Sequence, residues 1–195
     1  MDSKATYKNW TEEEIAKLVQ TKEYFSGGPI DWKQIAKCFP DRTAQQCKSF
    51  YRNRVKQFVF KEENGQVKAD TDFVQYCYFQ NLTGFVKPNE TPDEKVKRVV
   101  AQCCYEDSLT NAVIVQHPDV MLKWNQKLLV GMKMVYEFHT KIQAEIDQAL
   151  VDKEEVEFKG HIIQKDKWEQ YKLIFSQYSD KVDYILQQID NKIQK

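Results

Sequence analysis

Apolar residues recur at helical spacing in three short runs before residue 60, and each run opens on a residue suited to cap a helix. In the first, Ile15, Leu18, Val19 and Phe25 form one stripe behind Thr11, which with Glu14 makes the Thr-x-x-Glu pattern of a capping box. Glu12 and Glu13 add negative charge where the helix dipole favours it, and Gly27-Gly28-Pro29 ends the run. Asp31 caps a second helix with Trp32, Ile35, Ala36 and Phe39 facing inward, stopped by Pro40. Thr43 opens a third, with Gln46 as its box partner. At about 100° per residue, the third helix carries Cys47, Phe50, Tyr51 and Phe58 on one side. Gln45, Lys48, Ser49, Arg52, Asn53 and Lys56 fall on the other.

Beyond residue 60 the pattern changes. Residues 61–70, KEENGQVKAD, are polar and contain Asn64-Gly65, which reads as a linker, followed by a short helix with Phe73, Tyr76 and Cys77 on one side and Gly84 at its end. Thr91-Pro92-Asp93-Glu94 is a sharper start, with Thr as cap, Pro at the first helical position and Glu closing the box. Val96, Val99, Val100 and Cys103 continue its apolar face. After a break near Asp107-Ser108, His117-Pro118 turns into a long helix. Two later runs step by four and three: Leu128, Met132, Val135, His139, Ile142, Ile146 and Ala149, then Trp168, Tyr171, Phe175, Tyr178, Val182, Ile185 and Ile189. That spacing predicts an antiparallel helix pair at a shallow angle, joined through a tight connection or hairpin at Lys159-Gly160 and packed on the 92–116 segment. The expected fold is all-α: a three-helix N-terminal domain over 1–60, a linker with a possible short helix over 61–90, and a helical partner-binding or oligomerisation domain over 91–195.

Composition narrows the chemistry. Among 195 residues, 42% are hydrophobic, 13% aromatic and 30% charged, enough apolar material for a packed core with long solvated helices. No stretch approaches the roughly 20 apolar residues of a membrane helix, and MDSKATYKNW lacks the apolar core of a secretory signal. Cys38, Cys47, Cys77, Cys103 and Cys104 are odd in number and lack CxxC spacing, so they read as reduced thiols. His117, His139 and His161 stand 22 residues apart without a paired ligand signature, so no metal site is expected, and His139 reads as a hydrogen-bonded core histidine. GxGxxG, Walker, HExxH and GxSxG motifs are absent. The expectation is a protein that binds and does not catalyse, with no cofactor, no small-molecule substrate and no membrane.

The overall balance of 29 Lys+Arg and 29 Asp+Glu conceals a division. Residues 1–60 hold 11 basic and 7 acidic side chains, a balance of +4, leaving −4 for the remainder. From Asp41 to Lys61 there are six basic residues, Arg42, Lys48, Arg52, Arg54, Lys56 and Lys61, against Asp41 alone. A polar helix side is ordinarily a solvated surface. One of a single sign that also carries amides and a hydroxyl suits the DNA major groove, where Arg, Lys, Asn and Gln match base edges and added charge meets phosphate.

The segments NWTEEE and DWKQIAKCFPDRTAQQCKSFY resemble a single Myb/SANT repeat, with Trp10, Trp32 and Tyr51 in the places of its three regularly spaced aromatics. The intervening stretches are 21 and 18 residues long, and Ser26-Gly27-Gly28-Pro29 absorbs the slight excess of the first. The resemblance covers about 50 residues. It implies a helix-turn-helix variant whose third helix enters the major groove, with Lys48, Ser49 and Arg52 at bases, Arg42, Lys56 and Lys8 at phosphates, and Gln45 and Asn53 on the same DNA-binding side. Phe50 departs from the family, where a basic or polar residue is common. By phase Arg54 leans toward the core and toward a helix-one glutamate. Trp10, Trp32 and Tyr51 are read as core.

The resulting expectation is a nuclear binder of double-stranded DNA. Its C-terminal helices would join a protein partner or a second copy through Trp168, Tyr171, Phe175 and Tyr178. An accessory subunit of a chromatin or DNA-modifying complex, such as a DNA adenine-methyltransferase complex, fits that architecture. A stand-alone Myb-like regulator and a SANT-type histone- or protein-binding module are the alternatives.

Overall fold

A computed structural model describes residues 9–25, 29–59, 61–64, 66–68, 70–103, 118–177 and 180. For Glu23, 61–63, 66–68 and 118–133 it describes the backbone alone. Lys8, Cys104, His117, Tyr178, Val182, Ile185 and Ile189 lie outside the described residues or, for the earlier seam positions Leu128 and Met132, outside the described side chains.

The capping signals set the helix starts. In α1 (Glu12–Tyr24) the Glu14 amide donates to Thr11 Oγ1 at 3.2 Å, and the Thr11 amide donates to Glu14 Oε2 at 3.0 Å. Ile15, Leu18 and Val19 are buried, whereas Phe25 lies past the helix end, exposed against the edge of Tyr24. Asp31 accepts from the Lys33 and Gln34 amides to start α2 (Trp32–Ala36), which ends before Phe39, itself buried. Thr43 and Gln46 make the second reciprocal box at the start of α3 (Ala44–Phe50). There the helix widens into one π turn, Tyr51–Val55, with the Lys56 amide donating to Tyr51 O at 2.9 Å. Trp10 and Tyr51 are buried. Trp32 is half-buried, 5.7 Å from the Tyr51 ring. Phe50, the family departure, stacks on Trp10 at 4.3 Å and 17°.

Within 61–90 the foreseen short helix is present, preceded by two short strands. Strands β1 (Lys61–Glu63) and β2 (Gln66–Lys68) pair antiparallel around Asn64, whose φ of 54° suits a tight turn. Asp70 then caps α4 (Thr71–Thr83), which ends at Gly84 in the left-handed conformation. Cys77, Tyr78, Phe79 and Gln80 are four consecutive buried positions, so α4 is covered on more than one side. It packs on both α5 (Pro92–Cys103) and α6 (Pro118–Ala149). The Thr91–Glu94 box starts α5, and Val96, Val99 and Val100 are buried. This helix lies chiefly on α1 and α4 and also touches the π turn. Among the described residues α6 packs chiefly on α4; of the expected 92–116 platform, 104–116 lie outside the described residues. One contiguous hydrophobic cluster runs from Trp10 to Phe175.

The all-α expectation needs a second amendment, because β3 (Glu155–Phe158) and β4 (His161–Gln164) form another antiparallel hairpin. Lys159 (φ 49°) and Gly160 (φ 80°) form its two-residue turn, the geometry that matches strand twist. A further helix, α7 (165–177 among the described residues), follows directly. Its Trp168 Nε1 donates to Asp147 at 2.7 Å, while its Phe175 stacks 4.5 Å from His139 and 6.1 Å from Tyr136. Increasing number in α7 thus meets decreasing number in α6, an antiparallel approach.

Trp168, Tyr171 and Phe175 are all buried within this chain, which corrects their assignment to a partner interface. They surround Tyr78 and His139: the Tyr78 and Tyr171 rings meet edge-on at 5.3 Å, and Tyr171 donates to Tyr78 O at 3.1 Å. Large aromatics on a helix seam signal burial without saying against which chain. Here α4 supplies the partner surface from within.

Tyr78 Oη lies 2.8 Å from His139 Nδ1, as expected of a hydrogen-bonded core histidine. Burial raises the pKa of the Tyr78 phenol, so the phenol keeps its proton and donates. On that assignment the neutral imidazole carries its own proton on Nε2. Burial also pushes the His139 pKa down to about 4.

A buried ion pair joins α1 to α5. Arg98 of α5 is buried and clamps Glu12 through Nη1 at 3.0 Å and Nη2 at 2.6 Å, while also bonding both oxygens of Glu90. The hydrogen bonds from Arg98 hold the Glu12 carboxylate below its usual pKa. Arg98→Met leaves Glu90, whose side chain is 13% exposed, without its cation. We expect a loss of about 3–5 kcal/mol in urea unfolding. Lys87→Ala, at the exposed Lys87–Glu94 pair, should leave stability nearly unchanged.

Stability should also fall on acidification before the carboxylates titrate. The folded His139 pKa lies below the unfolded value of about 6.5, so the unfolded chain binds more protons between them. The stabilisation is complete above about pH 6.5 and is lost as pH falls toward 4, at a cost of about 3 kcal/mol. Urea titrations at pH 7 and pH 4.5 should show this loss, and His139→Gln should remove most of it.

Candidate nucleic-acid interface

The basic face is built on α3 and the π turn. Because the two capping boxes and the Trp10, Phe50 and Tyr51 contacts hold the inner side, the outer side is presented as one surface. Gln45, Arg52, Asn53 and Lys56 are exposed, and Lys48 and Ser49 are half-exposed. Gln45 Nε2 donates to Ser49 Oγ at 3.1 Å, orienting two of the polar groups relative to each other. Lys48, Arg52 and Lys56 have no acidic partner among the described residues, and no Asp or Glu occurs between Ala44 and Lys56.

Arg42 does not belong to this surface. It is buried, with Nε at 2.9 Å from Glu14 Oε1, Nη2 at 2.7 Å from Glu14 Oε2 and 3.0 Å from Asn9 O, and its guanidinium 4.5 Å from the Trp10 ring centroid. Donating hydrogen bonds to the Glu14 carboxylate raises its pKa further, so it is a permanent cation held in the fold. Position in a Myb-like pattern does not reveal this, because the binding carboxylate is 28 residues away.

Arg54 also departs from its expectation. An α-helical phase turns it toward the core, but the π turn delays that return and places Val55 inside, fully buried. Arg54 is exposed beside Arg52 and pairs with Asp93 of α5. No sequence signal marked the π turn. Arg42 is paired with the α1 residue Glu14.

The arrangement offers cations for phosphate and amide, hydroxyl and guanidinium groups for base edges, on one rigid helix side. Among the described residues no group of His, Cys, Asp and Glu is placed to hold a metal ion, and Cys38, Cys47, Cys77 and Cys103 are free thiols. No described helix is long and apolar enough to cross a membrane.

Residues 10–63 match the family of Myb-like DNA-binding domains, so this segment of the chain is a Myb-like domain. Neither a curated protein nor a solved structure matches the chain.

The two classes of arginine separate experimentally. Arg42→Ala strands Glu14 beside Trp10 and should lower stability by about 3 kcal/mol or more in chemical denaturation. Arg52→Ala, on the exposed face, should change stability by less than about 0.5 kcal/mol.

Proposed function

We propose that this protein binds double-stranded DNA by laying the outer side of α3 and its π turn in the major groove. The observation that carries the reading is a single-signed helix side in which Lys48, Arg52 and Lys56 stand without acidic partners, on a domain of the Myb-like family. Lys56 and Lys48 serve phosphates. Gln45, Ser49, Arg52 and Asn53 supply the base-reading groups, and Arg52 reads guanine if it reaches a base edge in bidentate geometry. The function is binding, with no chemical step, and its place is the nucleus, where such a domain meets its ligand. A protein- or histone-binding role for the same face is disfavoured, since a basic tail would meet like charge there.

On this face, among the described residues, the two lysines given to phosphates make few phosphate contacts. A role inside an assembly that adds further attachment suits such a face better than solitary regulation, because linked sites raise apparent affinity by about two to four orders of magnitude. We assign the protein an accessory, recruiting role on that ground. A chromatin or DNA-modifying complex, including a DNA adenine-methyltransferase complex, is the class of assembly with use for it.

Fluorescence anisotropy of the full chain on duplex DNA at several salt concentrations tests the DNA reading. The logarithm of the binding constant should fall with the logarithm of salt concentration at a slope of about −2, and each of Lys48→Ala and Lys56→Ala should reduce its magnitude by about 0.9. Arg52→Ala should relax sequence preference by about 1–3 kcal/mol at one base pair. Binding that is absent, or indifferent to salt and to all three substitutions, overturns the proposal.

A further inference from the structure

A groove of about 470 Å³ lies between the end of α4 and the β3–β4 hairpin, on a part of the chain remote in sequence from the DNA face. Residues 160–164 all line it. Successive side chains on a strand leave opposite faces, so a groove touching five consecutive residues runs along the open edge of β4, not across one face.

The pairing register says which backbone groups point into it. Phe158 and His161 flank the two-residue turn, and Lys165 N–H donates to Glu154 O at 2.8 Å. Antiparallel alternation then directs the amides and carbonyls of His161, Ile163 and Lys165 toward β3, and those of Ile162 and Gln164 away from it. The Gln164 carbonyl starts the helix from 165 by accepting from the Trp168 amide, which leaves the amide and carbonyl of Ile162 and the amide of Gln164 as the outward groups.

Two further features surround this edge. Phe85 is 60% exposed and Ile162 56% exposed, so the rim is apolar where soluble proteins usually blunt an edge strand with charge. Phe85 is also held in place, because its carbonyl accepts from Gln80 Nε2 at 2.9 Å. At the far end of the groove, Lys167 is the one residue lining it that is charged at neutral pH, and it has no acidic partner among the described residues.

We infer that the free edge of β4 is a docking site for an extended segment of a partner protein. The segment pairs with the backbone of Ile162 and Gln164 as a third strand, sets an apolar side chain against Phe85 and Ile162, and carries a carboxylate that meets Lys167. A second copy of this chain is the poorer occupant. Antiparallel self-pairing of β4 would bring Lys159 of one copy toward Lys165 and Lys167 of the other, like charge against like. The site supplies the second attachment that the recruiting role calls for, and it stands apart from the DNA-binding surface.

The test is selection of phage-displayed random eight-residue peptides on the full chain, followed by synthesis of an enriched peptide. Enriched sequences should alternate apolar residues and contain Asp or Glu, and the bound peptide should slow amide exchange at Ile162 and Gln164. Ile162→Pro removes an outward amide at a position where β3 makes no hydrogen bond, and should weaken the peptide tenfold or more. Two surface substitutions guard against misfolding: Phe85→Ala should weaken it several-fold, and Lys167→Glu should shift the selection from acidic to basic peptides. Duplex DNA binding should survive all three, so failure here and failure of the DNA reading are distinguishable. Absence of enrichment, peptide binding unaffected by the substitutions, or a dimer in solution that Ile162→Pro dissolves would each overturn the inference.

Discussion

A guanidinium removed from water must find its carboxylates, and the placement of Arg98 between Glu12 and Glu90 sets how this chain is assembled. Arg98 is 2% exposed. An unpaired cation there would cost several kcal/mol, so α5 has one workable position against the first turn of α1 and the segment before Thr91. Lys95 adds a contact from the same helix to Trp10 O at 3.4 Å. The Myb-like domain is thereby joined, across its first helix, to the segment that follows it. The same device recurs on a smaller scale in Arg42, which holds the turn between α2 and α3 to Glu14. The acidic run Glu12–Glu14 therefore does more than complement a helix dipole, since Glu12 and Glu14 anchor two separate buried arginines.

This use of charge also changes what the protein can offer to DNA. The +4 balance of residues 1–60 overstates the free positive surface, because Arg42 is consumed inside and Arg54 is engaged by Asp93. What remains at the surface of the third helix is compact: Lys48, Arg52 and Lys56 with their amide and hydroxyl neighbours. The π turn contributes to that arrangement. By placing Val55 in the core it keeps Arg52, Asn53 and Lys56 outward beyond the point where a regular helix would have turned the next position, Arg54, inward.

The C-terminal half follows a different economy. Helix α4 is buried on more than one side and acts as a spine, with α5 against it on one side and α6 on another. Tyr78 at its centre gathers Phe138, His139, Tyr171 and Phe175 around one ring. Aromatic area that reads as a sticky seam is satisfied internally. Apolar surface is left exposed instead at the edge of β4, where Phe85 and Ile162 stand.

How much of this was legible in the chain follows from the range of each interaction. Capping boxes, the Asp31 cap, the Gly84 end and the Lys159-Gly160 turn depend on residues three or four apart, and reading along the sequence placed them correctly. So did the aromatic spacing of the Myb-like domain, because Trp10, Trp32 and Tyr51 pack within one small core whose period the helices themselves set. The fate of Arg42, Arg54, Trp168, Tyr171 and Phe175 was decided elsewhere. Their partners stand 21 to 97 residues away, and helical phase says which side a residue occupies without saying what lies opposite. The sequence by itself determined the helix starts, the basic third helix and the aromatic core of residues 10–63. Only the tertiary structure decided which cations remain free for DNA and which apolar surface remains free for a partner, because burial and ion pairing are settled between segments that the chain's own order keeps far apart.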